Sequence, residues 1–373
     1  MRKCDKTVKR LKAHTDVFLY IKELAKDSEL LLAIRENYIN IYYMGGSLAK
    51  IGFDKQGEVY FDVHEKYLGK SSEGYERLSL KKHKENLVKI KENIKNIALS
   101  NKLLNSKNKK NTREKVCQQW IINQNNTHNS EWYYVDMEYM IKGNPLGRFD
   151  MIAIKKKADV NGKHQVALVE LKVGSGAYGS TGGMKLGDDS LYNYQTKDTY
   201  VSFGSGLVGH LCDYMRYLNT EYYEMLKEEI VNQIKAFIQM EIVSCDDAIG
   251  KIANADMLSD KPEVYFVSFS CVPSIINDTQ TSIEQMRESF YKYMYSINKS
   301  IKGQNGRTLR CSTRSAEDLL NKTEIKGLLD IKQEFLYTEN PMFELEIGQE
   351  KYRFHCAFVD AKKKEKAWDC LYE

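Results

Sequence analysis

Three residues in this 373-residue sequence combine types and spacing that could do chemistry: Asp150, Glu170 and Lys172. In the run Gln165 to Val173, Val169, Leu171 and Val173 alternate with Glu170 and Lys172. If the run is extended, the two charged side chains project together from one face. Asp150 lies in a second apolar run, between Phe149 and Met151-Ile152-Ala153-Ile154. Charges set into strands of this kind are costly unless they serve one another. Two neighbouring carboxylates repel, and a hard divalent cation relieves the repulsion while keeping waters in its octahedral shell. Asp150 and Glu170 therefore read as a Mg²⁺ site, with Mn²⁺ as a substitute. Lys172 adds a fixed positive charge, suited to orienting water or to neutralising charge on a phosphate under attack. The substrate that matches this device is a phosphodiester.

The elements that must position these groups are two strands and a turn. Arg148 to Lys155 and Gln165 to Val173 flank a polar connection, Lys156 to His164, containing Asn161-Gly162. That spacing and turn chemistry predict a β-hairpin.

At these residues the chain resembles the PD-(D/E)XK nuclease superfamily, the restriction-endonuclease-like phosphodiesterases. The signature is an acid on one strand, a variable gap, then Asp or Glu, any residue, and Lys on the next. Here it is Asp150 followed by Glu170-Leu171-Lys172, with Phe149 where a proline often precedes the first acid. The resemblance implies an α/β fold with an αβββαβ core and a mixed sheet, and it covers residues 112 to 272. It also implies that the core's first helix contributes an acid to the metal site, and Glu114 is the candidate, though its place equally suits an ordinary first-turn acid favoured by the helix dipole. The carbonyl of Leu171 would join the metal's ligands. One branch of the superfamily, the recombination exonucleases, places Gln and Tyr four residues apart on the helix after the third strand. This chain has His210 and Tyr214 at that spacing, His in place of Gln, as candidates for nucleic-acid contact, with a structural histidine at the helix start as the alternative for His210.

The surrounding pattern supplies candidates for the remaining elements. Thr112 to Asn123 and Leu207 to Met240 predict helices, the second broken near Asn219-Thr220, while Glu131 to Ile141 and Glu263 to Val272 predict strands. Asp136 and Glu138 on the opening strand are reserve acids. A glycine-rich stretch follows Lys172, and Gly204 to Gly209 spells GxGxxG. The helical stretch after it carries the acids internally, so a dinucleotide-binding unit lacks its second strand. A helix over Ser282 to Lys302, another over Ala316 to Lys332 and strand-like residues from Phe343 to Asp360 complete the chain.

Upstream of the core, an α+β region is expected. Residues 15–36 space Phe18, Ile21, Leu24, Leu31 and Ile34 at helical intervals. Two Tyr- and Ile-rich segments then predict a small antiparallel meander, turning at Gly45-Gly46 and at Asp54 to Gly57. Its Tyr42, Tyr43, Tyr60 and Tyr67 suit either base stacking or a half-buried sheet. From Arg77 to Lys115, thirteen basic residues stand against three acids, a net +10 where the whole chain carries +5. The segment predicts a helix with an apolar stripe of Leu87, Ile90, Ile94 and Ile97. Lys81, Lys82, Lys84, Lys89, Lys91 and Lys95 form its cationic side, fit either for a nucleic-acid backbone or for solvent.

This reading divides the chain into an N-terminal region (1–111), a nuclease-like core (112–302) and a C-terminal α/β extension (303–373). Eight scattered cysteines without a CxxC pair argue against a zinc ribbon, a disulfide framework or an iron–sulfur cluster. No apolar run approaches a membrane span of roughly 20 residues, and no apolar segment follows the basic start. A soluble, cytoplasmic protein without a membrane partner is expected. The expected function is Mg²⁺-dependent hydrolysis of nucleic acid, DNA ahead of RNA. The alternative is a catalytically silent nucleic-acid-binding module on the same fold, in which Glu170 and Lys172 are only an ion pair.

Overall fold

The computed structural model describes residues 4–100, 109–140, 148–174, 178, 185–186, 201–202, 207–275, 278–295, 301–302, 308–309 and 325–372. The chain opens with α1 (Cys4–Lys12), whose Cys4, Thr7, Val8 and Leu11 recur at helical spacing and are buried. Helix α2 (Thr15–Ala25) follows, and β1 (Leu30–Ile34) starts only five residues later. The helix expected over 15–36 is therefore half helix and half strand. At the junction Asp27 accepts the amide of Glu29 on its side chain and that of Leu30 on its carbonyl, closing a turn. The apolar run LLLAI fits either period, and pairing with β2 (Ile39–Tyr43) decides it.

The expected meander is present. Strands β1, β2, β3 (Gly46–Phe53), β4 (Val59–His64) and β5 (Tyr75–Leu78) lie in sequence order in one antiparallel sheet. Helix α3 (Leu80–Leu99), capped by the Ser79 hydroxyl, buries His83, Ile90 and Ile94 against it.

The second sheet carries the centre. After α4 (Lys109–Thr127) come β6 (Trp132–Met140), β7 (Arg148–Lys155) and β8 (Val166–Val173), paired antiparallel. Then come α5 (Leu207–Leu218), α6 (Tyr222–Gln239) and β9 (Glu263–Phe269), which lies parallel to β8. The order is helix, three strands, two helices, strand, in a mixed sheet, so the α/β class holds. Helix α7 (Ile283–Tyr295) ends short of Lys302. The described part of the helix expected over 316–332 is instead the short strand β10 (Ile325–Lys326) and a 3₁₀ turn, Leu328–Asp330. Strands β11 (Met342–Ile347) and β12 (Glu350–Val359) form a hairpin, and β12 runs parallel beside β9. The C-terminal strands thus belong to the same sheet, in the order β10-β11-β12-β9-β8-β7-β6.

β8 is buried along its whole length, which explains why its sequence is apolar almost without interruption. On one side of the sheet Ile152, Ile154, Leu168 and Phe266 pack with α5, α6, α7 and the N-terminal elements. On the other, Met151, Ala153, Val169 and Leu171 pack with Val116, Cys117 and Ile121 of α4. The β7–β8 turn is set by Asp159, whose carboxylate accepts the amides of Asn161 and Lys163, with Gly162 at a φ of 78°. Among the described residues, no helix is long and apolar enough to cross a membrane.

Candidate functional site

The β7–β8 ladder runs from Ile154↔Val166 to Met151↔Val169 and then stops. The next facing pair would be Asp150 and Glu170. At that point the amide of Leu171 donates to Oδ2 of Asp150 at 2.7 Å, so a carboxylate replaces a backbone acceptor where the strands part. Alternation keeps Glu170 and Lys172 on the side of Leu168, facing α5.

Glu170 is 3% exposed, yet each of its oxygens has a partner. Oε1 lies 2.5 Å from Nζ of Lys172 and 3.3 Å from Nε2 of His210. Oε2 accepts the hydroxyl of Tyr214, whose ring is wedged against Phe149 and Phe266. Burial alone would raise the Glu170 carboxyl, but His210 and Lys172, with the hydrogen bond from Tyr214, hold it down to about 2. Lys172 also donates to the Leu171 carbonyl at 3.2 Å. Burial works against its charge, but Glu170, Glu114 and Asp150 carry it above the usual lysine value, so it is an ammonium. Asp150 goes the other way. Burial and then Glu170 push its carboxyl well above the usual range, against Lys172, and Glu114 adds to the push. Glu114, in α4, thus acts electrostatically on both Asp150 and Lys172.

The structure brings together Asp150, Glu170, Lys172 and the Leu171 backbone, with Glu114 acting on them electrostatically. It also draws in His210 and Tyr214, which meet Glu170 from α5. Comparison with known proteins adds nothing to the geometry. No family model, no curated protein and no solved structure matches this chain.

The donor set suits a hard divalent cation in type: three carboxylates and a carbonyl are gathered, and burial, then the charge of Glu170, raises Asp150. Its spacing is not closed on an ion, since no group of three or more His, Cys, Asp or Glu among the described residues is arranged to hold a metal. The Lys172 ammonium takes Oε1 of Glu170 and the Leu171 carbonyl together, two of the oxygens that the motif would give to the cation.

Several charges that the sequence leaves open are paired. Asp136 meets Arg35 in a buried ion pair, and Arg35 also donates to the Met137 carbonyl. Glu138, at a φ of 55°, lies 2.9 Å from Lys115. Neither is a spare ligand for the centre. Lys115, whose charge is strengthened by Glu138, Tyr42 and Asp150 despite its burial, is a second cation beside Asp150 that the sequence pattern does not reveal. Asp213 was equally hidden. Next to Tyr214, it is raised to about 7 by burial, against the pull of Arg216 and Arg148.

On α3, Lys81, Lys82, Lys84, Lys89 and Lys95 are exposed, which a solvated face and a backbone-tracking one share. Lys91 is not available in the same way, because it bonds Asp27 at 3.0 Å and Glu29 at 3.4 Å. Tyr43 and Tyr67 are core residues, and Tyr60 lies under the guanidinium of Arg77 at 3.8 Å. Arg307, Arg310 and Arg314, which by sequence suit either a nucleic-acid contact or a solvated loop, lie outside the described residues, as do the GxGxxG glycines Gly204 and Gly206.

Proposed function

We propose that this protein is a metal-dependent nuclease of the PD-(D/E)XK kind, hydrolysing phosphodiester bonds of nucleic acid, with DNA the first substrate to try. The observation that supports this reading best is the end of the β7–β8 ladder. There Asp150, Glu170 and Lys172 meet through the Leu171 peptide, in the order and on the strands the motif demands.

Asp150, Glu170, Glu114 and the Leu171 carbonyl would hold Mg²⁺ or Mn²⁺. Such an ion supplies Lewis-acid polarisation of a phosphate oxygen and acidifies water. Burial and the neighbouring Glu170 disfavour a charged Asp150, so its carboxylate gains most from a cation. Lys172 stays protonated, and once released from Glu170 its ammonium can meet the charge growing on the phosphate. Tyr214 keeps its proton, because burial and the nearby Glu170 raise its hydroxyl well above the usual value. It therefore serves as a donor that fixes the Glu170 carboxylate. His210 completes that bracket from one turn earlier on α5.

A second reading is favoured by the same contact. The buried Lys172–Glu170 pair is closed at 2.5 Å, as it would be in a silent binding module. Incubation with single- and double-stranded DNA and RNA in Mg²⁺, Mn²⁺ or EDTA separates the two. Cleavage that needs metal and is lost in Glu170→Ala and Lys172→Ala supports the nuclease; binding without cleavage supports the module.

A further inference from the structure

A cavity of about 520 Å³ opens between α4 and the β2–β3 hairpin, within the size range of small-ligand sites. Its walls include Tyr43, Met44, Trp120, Asn123, Gln124 and His128. Hydrogen bonds that tie α4 to the first sheet build it in advance. The Gln119 side chain accepts the Gly45 amide at 2.8 Å and donates to the carbonyls of Glu29 and Tyr42, and Asn123 donates to the Ser28 carbonyl at 2.9 Å. The Trp120 ring is braced edge-on by Trp368 at 5.9 Å and by Phe269 at 6.3 Å, so it offers a fixed aromatic surface. His128 is fixed as well, its ring against Trp368 at 5.0 Å and Nδ1 within 2.8 Å of the Gln124 carbonyl.

The lining chemistry selects the ligand. Among the described residues no lysine or arginine lines the cavity, and its acid, Glu29, bonds Lys91, so a phosphate finds no lysine or arginine partner in that lining. A flat ring with a hydrogen-bonding edge does: aromatic surface and a thioether for its face, and the Asn123 and Gln124 amides for its edge. Trp120 follows Glu114 by six residues on one helix, which sets the cavity about 9 Å along the helix axis from the acid of the proposed centre. We infer that this cavity takes an unstacked nucleobase of the substrate strand. The inference rests on the nuclease reading for its source of bases, but the binding itself needs neither metal nor cleavage.

The test is ligand-observed NMR titration with the four deoxynucleosides in EDTA, with deoxyribose and inorganic phosphate as controls. At least one nucleoside should bind saturably, and neither control should compete. Trp120→Leu should weaken binding about tenfold, the order expected for loss of one stacking surface. Gln124→Leu, a change at a half-buried side chain with no role in the core, should weaken it as well, with circular dichroism confirming that both variants fold. Glu170→Ala should bind nucleosides as the parent does, whatever its cleavage activity. Loss of cleavage in Glu170→Ala thus reports on the centre alone, and loss of nucleoside binding in Trp120→Leu on the cavity alone. Absence of saturable binding, competition by deoxyribose or phosphate, or unchanged affinity in both cavity variants overturns the inference.

Discussion

The Lys172 ammonium stands 2.5 Å from Oε1 of Glu170, with both side chains almost wholly buried. Removing Lys172 takes the nearest counter-charge from Glu170, which keeps only Tyr214 and His210 in the interior, at a cost of up to roughly 3–5 kcal/mol. Lys172→Met should therefore lower the unfolding free energy by about that much in urea titrations. The double variant Glu170→Gln/Lys172→Met should recover most of the loss. If the single and double variants are equally unstable, the two groups are not coupled in the way the structure shows.

The same ammonium occupies oxygens that the proposed cation needs. Mn²⁺ should raise the melting temperature of the parent by mass action. In Lys172→Met the gain per millimolar Mn²⁺ should be larger, because no ammonium competes. In Asp150→Asn and Glu114→Gln it should shrink. Differential scanning fluorimetry across a Mn²⁺ series reads all four proteins, and an identical dependence in each would remove these acids from any metal site.

A pH dependence follows from Asp213, whose carboxyl is raised to about 7 by burial. Its folded pKa lies above the unfolded value, so the folded state binds the proton more tightly. The stabilisation is complete below the unfolded pKa of about 4 and is lost as pH rises towards 7, at most about 1.4 kcal/mol per pH unit. Asp213→Asn lacks this proton. Its stability relative to the parent should climb between pH 4 and 7 and level off above, as measured by denaturant titration at each pH.

Local pattern carried the part of the fold that bears the motif. A strand-forming run over Gln165 to Val173, alternating from Val169 onward, and an Asn-Gly turn leave little choice but a hairpin, and the hairpin brings Asp150, Glu170 and Lys172 together. The break at Asn219-Thr220 fell between α5 and α6 as the pattern indicated. What was hidden depends on partners distant in sequence. LLLAI satisfies both a helical and an extended period, and only β2 settles which. Nothing local states that Glu350–Val359 lies parallel to β9. Lys91 looks like its neighbours until α3 is laid against Asp27 and Glu29. Lys115 and Glu138 meet because α4 crosses the end of β6, a juxtaposition no spacing encodes.

The cavity and the proposed centre share one joint, the Gly45 turn pressed on α4. Gly45 has a φ of +72°, and a Cβ there would lie 2.6 Å from the Val116 amide nitrogen and 2.7 Å from the Lys115 carbonyl carbon. Backbone cannot yield as a side-chain tip can, and the left-handed conformation adds its own penalty of about 1–2 kcal/mol for a residue with a Cβ. Gly45→Ala should therefore destabilise the protein by about 2 kcal/mol or more, a loss measurable by urea titration. It should also push the hairpin off α4 and break the Gly45–Gln119 hydrogen bond that helps wall the cavity. Because the displaced backbone is that of Lys115 and Val116, Glu114 should shift with it. Gly57→Ala is the control: this glycine also has a positive φ, of +91°, but has open space around it, so it should show the conformational penalty alone. Equal losses in the two variants would mean that the turn does not bear on α4.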